Sequence, residues 1–417
     1  MRKRIIGCIC ILLLLASCSP REKAEDIIQN PDDESEQEVS IIPGHQLGSE
    51  NYKVMLPYHP SAARGVIVNQ VANRLDIDEM EEGLRRHSIP VFDPENYYFE
   101  EGQYLSRDTV YNWLGRSLTK KQLDAAVKEE VERLKKEERT VNEERIRNEF
   151  QLGLNPPLAD QKGKKKDEQI KAHRENPRYI SHILEQNFLT RNEDQTAELS
   201  GVSIVIALKS VYKFQVDIDG KIHGPYYEEI SEKEMLTQGK EAAQIVLERL
   251  RDMEELNDIP IMITLYQEEK QEHPVPGNFI AKTVVPAQDM MIDEWETIDE
   301  KNVLFPSQEA SKDYSDDEGL FDTFADEIAT FFPNYVGVIG EGFYIEDDLQ
   351  KMSMLIPMEF QGSGEITGFT QYLYGLAKDI YENTDYALEI KIESNNEVES
   401  IIYREPGSED INVHILH

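Results

Sequence analysis

Between Ile204 and Val216 the chain reads Ile204-Val205-Ile206-Ala207-Leu208-Lys209-Ser210-Val211-Tyr212-Lys213-Phe214-Gln215-Val216. Every second residue from Ile204 is apolar apart from Ser210, and a period of two is the pattern of a strand with one covered face. The spacing predicts one long strand or two in line. Asp219-Gly220 then signals a tight turn. Glu232 to Met253 carries Leu236, Ala243, Val246, Leu247 and Leu250 at helical spacing. Ile259, Ile261, Ile263 and Leu265 close the unit as a further strand, with Pro260 near its start.

A similar succession follows a hinge. Phe321, Phe324, Ala325, Ile328, Phe331 and Phe332 mark a helix over Leu320 to Phe332, Tyr335 to Ile345 reads as extended, and Met352, Met354, Ile356, Met358 and Phe360 line one face of a strand. Pro357 inside that strand favours an edge position. Phe369, Tyr372, Leu373, Leu376, Ala377 and Ile380 make an amphipathic helix, and Leu388, Ile390 and Ile392 a strand. Counting from Val202 to Glu232 and from Tyr335 to Glu365, the helix starts at the same distance from the first strand, which suggests a duplicated β-β-α-β unit over 196–290 and 320–417. Coincidence is the alternative, because this succession is common in α+β chains.

Upstream the signals are weaker. Tyr52, Val54 and Leu56 alternate like a short strand, Asp78 to Arg86 and Arg107 to Leu118 read as helices, and Tyr179 to Leu189 as a further short one. Lys120 to Phe150 is polar with Leu123, Val127, Val131 and Leu134 at steps of three and four, a long exposed helix whose thin stripe packs on the body. Lys162, Lys164, Lys165 and Lys166 form a basic patch, read as a solvated loop in preference to an anion site. The expected fold class is α+β: an N-terminal α+β domain over 49–195, then a C-terminal α+β region over 196–417.

The first residues are of another kind. Arg2, Lys3 and Arg4 precede the apolar run Ile5 to Leu15, too short to span a bilayer comfortably, and Leu15-Ala16-Ser17-Cys18 has the layout of a lipobox. Residues 1–17 are expected as a lipoprotein signal peptide, with Cys18 as the lipidated residue and new N-terminus. Residues 18–48, with Pro20, Pro31, Pro43 and an acidic run, are expected as a disordered tether. Cys8, Cys10 and Cys18 are the cysteines of the chain, so cleavage leaves a single thiol and no disulfide. Removing Arg2, Lys3 and Arg4 with the leader takes the net charge from −37 to −40. Such a surface repels nucleic acid and anionic head groups, so the expected partner is the membrane, reached through a lipid anchor, with no nucleic acid.

Catalytic templates are absent: there is no P-loop, no His-Glu-x-x-His, no Gly-x-Ser-x-Gly and no cysteine pair after Cys18. Asp217-Ile218-Asp219-Gly220 resembles the start of a calcium loop, but Lys221 and Ile222 stand where a ligand and a glycine belong, so a hairpin turn explains it better. Gly340-Glu341-Gly342 lacks the rest of a dinucleotide fingerprint and is read as close strand packing. Gly362-Ser363-Gly364 is read as the capped start of a helix in preference to an anion site. Tyr97, Tyr98, Phe99, Gln103, Tyr104 and Trp113 are read as core of the first domain, with a binding cleft as the alternative. His173 and His182 are too far apart for one helical turn, and no metal or cofactor is expected.

Leu56-Pro57-Tyr58, Ser61-Ala62-Ala63-Arg64-Gly65, Asn73-Arg74-Leu75-Asp76, Glu82-Gly83-Leu84 and Tyr98-Phe99-Glu100-Glu101-Gly102-Gln103-Tyr104-Leu105 together resemble the CamS family of lipoproteins, named after the staphylococcal sex pheromone precursor. The resemblance implies a signal peptide that is the source of a short hydrophobic pheromone acting on enterococci with conjugative plasmids. The matching positions here are Ile11, Leu12, Leu13, Leu14, Leu15, Ala16 and Ser17. The family peptide also ends in Leu-Ala-Ser, whereas its earlier residues differ. The family implies no enzymatic role for named residues of the body.

The expectation is therefore a lipoprotein on the outer face of the cytoplasmic membrane of a Gram-positive bacterium, with a body that binds or interacts. A rival reading, an envelope hydrolase, places Arg64, Arg74, Asp76 and Gln103 in one cleft of the N-terminal domain.

Overall fold

The computed structural model describes residues 25–28, 39–42, 51–67, 71, 73–192, 196–332, 337–359 and 362–416. The signal peptide, Ile11 to Ser17 and Cys18 lie outside the described residues. Within the expected tether, β1 (Glu25–Ile28) and β2 (Val39–Ile42) pair antiparallel, with Ile27 opposite Ser40 and Ile28 opposite Val39. Their β-branched residues supply the strand propensity that the acidic composition of 18–48 obscured.

The first sheet opens with β3 (Lys53–Val54). The short α1 (Arg64–Ile67) and α2 (Leu75–Ser88) lead to β4 (Tyr98–Glu101). Four helices, α3 (Arg107–Trp113), α4 (Lys120–Lys136), α5 (Glu143–Phe150) and α6 (Lys166–Glu175), then precede β5 (Ile180–Arg191) and β6 (Ala197–Leu208). A hairpin of β7 (Val211–Ile218) and β8 (Lys221–Glu229), α7 (Glu232–Arg251), α8 (Glu254–Asn257), β9 (Ile261–Gln267) and β10 (Asn278–Val285) complete this half. The chain leaves through β11 (Glu296–Thr297) and starts the second sheet with β12 (Glu300–Phe305). There follow α9 (Gln308–Asp313), α10 (Ser315–Phe331), β13 (Ile339–Ile345), β14 (Asp348–Pro357), α11 (Ser363–Ile380), β15 (Ala387–Ser394), β16 (Glu397–Arg404) and β17 (Asn412–Ile415).

The α+β class is as expected, but the strands join differently. One seven-stranded sheet has the order β11-β10-β9-β6-β5-β4-β3 and a six-stranded sheet runs β12 to β17 in order. The expected division at 195/196 is thereby corrected: it falls between β5 and β6, which pair along their length from Ile180–Leu208 to Arg191–Ala197. A hydrogen-bonded ladder cannot be cut without orphaning buried backbone groups. In both sheets a helix crosses between parallel neighbours, α7 between β6 and β9 and α11 between β14 and β15, flanked by antiparallel pairs. The strand that matches β14 is thus β6, and the β7–β8 hairpin is an addition to the first half.

Four local readings are also corrected. Tyr179 to Leu189 is strand, not helix. The Ile204 to Val216 stretch divides at Lys209-Ser210 into β6 and β7, which belong to different sheets. Lys120 to Phe150 is a helical hairpin: α4 begins with a Thr119–Gln122 capping box, the chain reverses near Glu138 at φ 55°, and the stripe of Leu123, Val127, Val131 and Leu134 packs on Ile146 of α5. Pro357 is not on an edge strand: it ends β14, between β13 and β15.

Other readings hold. Asp219-Gly220 turns the β7–β8 hairpin, with Gly220 N–H donating to Asp217 Oδ1 at 2.7 Å. Gly340 and Gly342 sit where a Cβ would come within 2.6 Å of Phe321 and 2.8 Å of Phe305. Gly362-Ser363-Gly364 does start a helix, but the expected side-chain cap is corrected: Gly362 itself stands at the N-cap of α11 and no side chain caps it.

The first sheet is covered on both faces, by α7 and the β7 side chains over Ile204, Ile206 and Ile263, and by Met80 and Leu84 of α2 over Val205 and Met262. The second sheet lays Met352, Met354, Ile390 and Ile392 against Phe324 of α10 and Phe369 and Leu373 of α11.

Candidate functional site

A narrow cleft of about 40 Å³ lies where β4 stops pairing at Glu101–Gln186 and β5 continues towards Ile180. Its walls come from the loop before α1, from α2, from the end of β4 and from His182 to Gln186 of β5. Space of this size holds a few waters or one small polar group.

Glu185 organises one wall. Its carboxylate accepts backbone N–H groups from Gln103 at 3.0 Å, Tyr104 at 3.1 Å and Leu105 at 2.6 Å. Burial pushes its pKa up while these donors pull it down, and burial wins. The loop must pass close: a Cβ on Gly102 would stand 2.5 Å from Cβ of Glu185. The segment Glu101-Gly102-Gln103-Tyr104-Leu105 therefore wraps a buried carboxylate.

Glu101 organises the mouth. It accepts from Ser61 N–H at 2.6 Å and from the Tyr58 hydroxyl, and pairs with Arg64 Nη2 at 3.2 Å. The Arg64 guanidinium also lies 5.9 Å from the centroid of the Tyr58 ring. On α2, burial raises the Glu81 pKa and Glu101 adds to the rise, while Arg64 and Arg85 oppose it. Arg85 in turn lies 5.3 Å from the Phe99 ring centroid.

On two residues that line the cleft, buried polar atoms stand without partners among the described residues, His182 Nδ1 and Gln186 Oε1. The Gln186 amide is oriented by donating Nε2–H to Glu81 O at 2.7 Å. Burial lowers the His182 pKa to about 3, so the ring is neutral and offers an acceptor and a donor. Both carboxylates nearest the chain reversal, Glu101 and Glu185, are already held by the protein's own donors. The arrangement suits capture of a polar group better than proton transfer.

Of the four cleft residues expected from the sequence, the structure brings together two. Arg64 lines the cleft and Gln103 lies beside it, donating Nε2–H to His59 O and Glu101 O. Asp76 does not belong to it: buried at the start of α2, it accepts from Tyr266 OH and Gly277 N–H, both at 2.7 Å, and burial raises its pKa to about 7. Arg74 precedes α2 and is exposed. Glu185, His182 and Gln186 were missed because their stretch spaces Ile180, Ile183, Leu184, Phe188 and Leu189 like a helix; a strand covered on both faces loses its alternation. Of the aromatic set, Phe99 and Trp113 are buried in the core as the preferred reading had it, but Phe99 also lines the cleft and Gln103 is exposed. Among the described residues no cluster of His, Cys, Asp and Glu is arranged to hold a metal, and no helix is long and apolar enough to cross a membrane.

The model of one protein family, described as CamS sex pheromone cAM373 precursor, matches residues 58–410. A solved sex pheromone precursor from Lactobacillus salivarius subsp. salivarius is similar at 27% identity and TM-score 0.73, over 90% of this chain and 98% of that one. The C-terminal domain of the sex pheromone staph-cAM373 precursor from Staphylococcus aureus is similar at 27% identity and TM-score 0.65, over 84% of this chain and 99% of that one. No curated protein sequence matches the chain.

Proposed function

Because this chain belongs to the CamS sex pheromone precursor family, we propose that it is a lipoprotein of a Gram-positive envelope, held on the outer face of the cytoplasmic membrane by acyl chains on Cys18. The observation that carries this reading is Leu15-Ala16-Ser17-Cys18 directly behind the Ile5 to Leu15 run. Two acyl chains at about 0.8 kcal/mol per buried methylene anchor a protein that its charge alone would drive from an anionic surface. The leader is a second product: Ile11 to Ser17 is apolar enough to partition into membranes and to fill an apolar receptor groove as a pheromone-like peptide.

The body is a non-enzymatic binding module, and the cleft beside β5 is its site for a small polar group. Gln186 Oε1 and His182 Nδ1, buried without partners among the described residues on side chains of cleft-lining residues, support this. The hydrolase reading needs Asp76 beside Arg64, whereas Asp76 is tied to Tyr266 and Gly277.

Cys18→Ala is expected to abolish acylation and membrane retention, read by intact mass and cell fractionation; unchanged mass and retention would overturn the anchor. A synthetic Ile11 to Ser17 peptide is expected to induce clumping of responsive plasmid-bearing enterococci. A silent peptide removes the pheromone and leaves the anchor standing.

A further inference from the structure

None of the residues in a second polar cluster lines the cleft. Where α6 packs on β7, the His173 ring lies parallel to Phe214, with centroids 4.8 Å apart and 3° between planes, and Phe214 stacks on Tyr212 at 5.2 Å and 18°. Arg116 donates Nη2–H to the Tyr212 hydroxyl at 3.0 Å and Nη1–H to Pro156 O at 2.7 Å. The same hydroxyl lies 2.9 Å from His173 Nδ1. Accepting from Arg116, it donates its own proton to Nδ1, which leaves the imidazole proton on Nε2.

Arg178, half-buried on the turn into β5, makes neither a hydrogen bond nor an ion pair with any described residue. Its charged neighbour is another cation. Burial, and then Arg116, holds the Arg178 pKa below its ordinary value; His173 is lowered by burial and by both arginines. No carboxylate contributes to either group, in a chain with 81 acidic and 44 basic side chains. Two guanidiniums that repel each other, one tied only to neutral groups and the other to no partner among the described residues, form a positive site lacking its counter-charge.

We propose that Arg116, Arg178 and His173 form a binding site for a phosphoryl group, of a soluble phosphate ester or of a phospholipid head. Guanidinium forks match the paired oxygens of a phosphoryl group, a doubly negative charge balances the two arginines, and His173 supplies a further donor. The aromatic ladder of His173, Phe214 and Tyr212 fixes the ring and the Arg116 fork before the anion arrives, which lowers the ordering cost of binding.

The test uses the purified full chain, with inorganic phosphate as the probe and chloride at matched ionic strength as the control. Phosphate is expected to raise the thermal midpoint above the chloride control and to shift the His173 ring resonances. Arg178→Gln is expected to raise the midpoint without phosphate, because it relieves repulsion, and to weaken phosphate binding about tenfold or more by calorimetry. A site that only shapes the fold would not invert its effect with the anion present. Vesicles with and without phosphatidylglycerol separate the sources: retention on the anionic vesicles that Arg178→Gln removes points to a lipid head, and phosphate binding without retention to a soluble ester. The proposal is overturned if phosphate acts no differently from chloride, or if Arg178→Gln and Arg116→Gln leave phosphate affinity unchanged.

Discussion

At the scale of single residues, burial sets the chemistry. Glu185 and His182 lie on one strand, yet the first is met by three backbone N–H groups while the second keeps an Nδ1 without a partner among the described residues. His182 titrates near pH 3 in the folded protein against 6.5 when free. Between those values the unfolded chain holds one proton more, so this residue's stabilisation is complete above the unfolded pKa and is lost as pH falls towards 3. The expected slope is about 1.4 kcal/mol per pH unit. Asp76 opposes it: raised to about 7 from 3.8, it holds the extra proton in the folded state, and its stabilisation is lost as pH rises through 7. Urea unfolding of His182→Asn and the parent at a series of pH values in that window should therefore give free energies whose difference changes with pH. Parallel curves would show that His182 is not held neutral.

At the scale of elements, the α4–α5 hairpin carries its own small core of Leu123, Val127, Val131, Leu134 and Ile146, distinct from the clusters beneath the two sheets. Its exposed ion pairs, Arg133 with Glu130 and Glu137 among them, contribute little. The hairpin thus depends on one apolar seam. Val127→Asp places a charge in that seam and is expected to open the hairpin alone, giving tryptic cleavage within 120–150 while the main thermal transition keeps its midpoint. A fall in the main midpoint by several degrees would mean that the hairpin supports the first sheet. β5 makes the complementary case. Its side chains are buried on both faces, so no alternation remains, and only its pairing with β4 and β6 identifies it as a strand.

At the scale of the whole molecule, the two sheets meet through β11 and β12 and through the end of α2. Arg86 reaches Glu79 Oε1 at 2.8 Å and Glu300 Oε2 at 2.9 Å, and its guanidinium lies 4.5 Å from the Phe343 ring centroid. His87 adds a contact to Glu300 at 3.2 Å, and Asn302 donates Nδ2–H to Gly277 O at 2.9 Å. Burial raises the Glu79 pKa; it also works to raise that of Glu300, but hydrogen bonds from His87 and Arg86 outweigh it and leave that group lowered. Arg86→Ala leaves both carboxylates without their shared cation and is expected to cost about 2 kcal/mol in urea unfolding, less than a fully buried pair because the arginine is partly exposed. Small-angle scattering should show a larger radius of gyration as the sheets loosen. An unchanged radius and stability would mean that β11, β12 and Asn302 hold the junction alone.

Local periodicity was enough for the α+β class, for the amphipathic helices α7, α10 and α11, for the alternating strands β14 and β15, and for the hairpin turn at Asp219-Gly220. These features record their environment in neighbouring residues. The proposed address of the chain is more local still, resting on consecutive residues ending in Cys18. Only the tertiary structure decided that β5 is a strand, that 49–195 and 196–290 share one sheet, that Asp76 leaves the cleft while Glu185, His182 and Gln186 line it, and that Arg178 makes no hydrogen bond or ion pair among the described residues. Strand pairing and side-chain convergence join residues far apart in the chain, and burial on both faces erases the alternation that would have announced them.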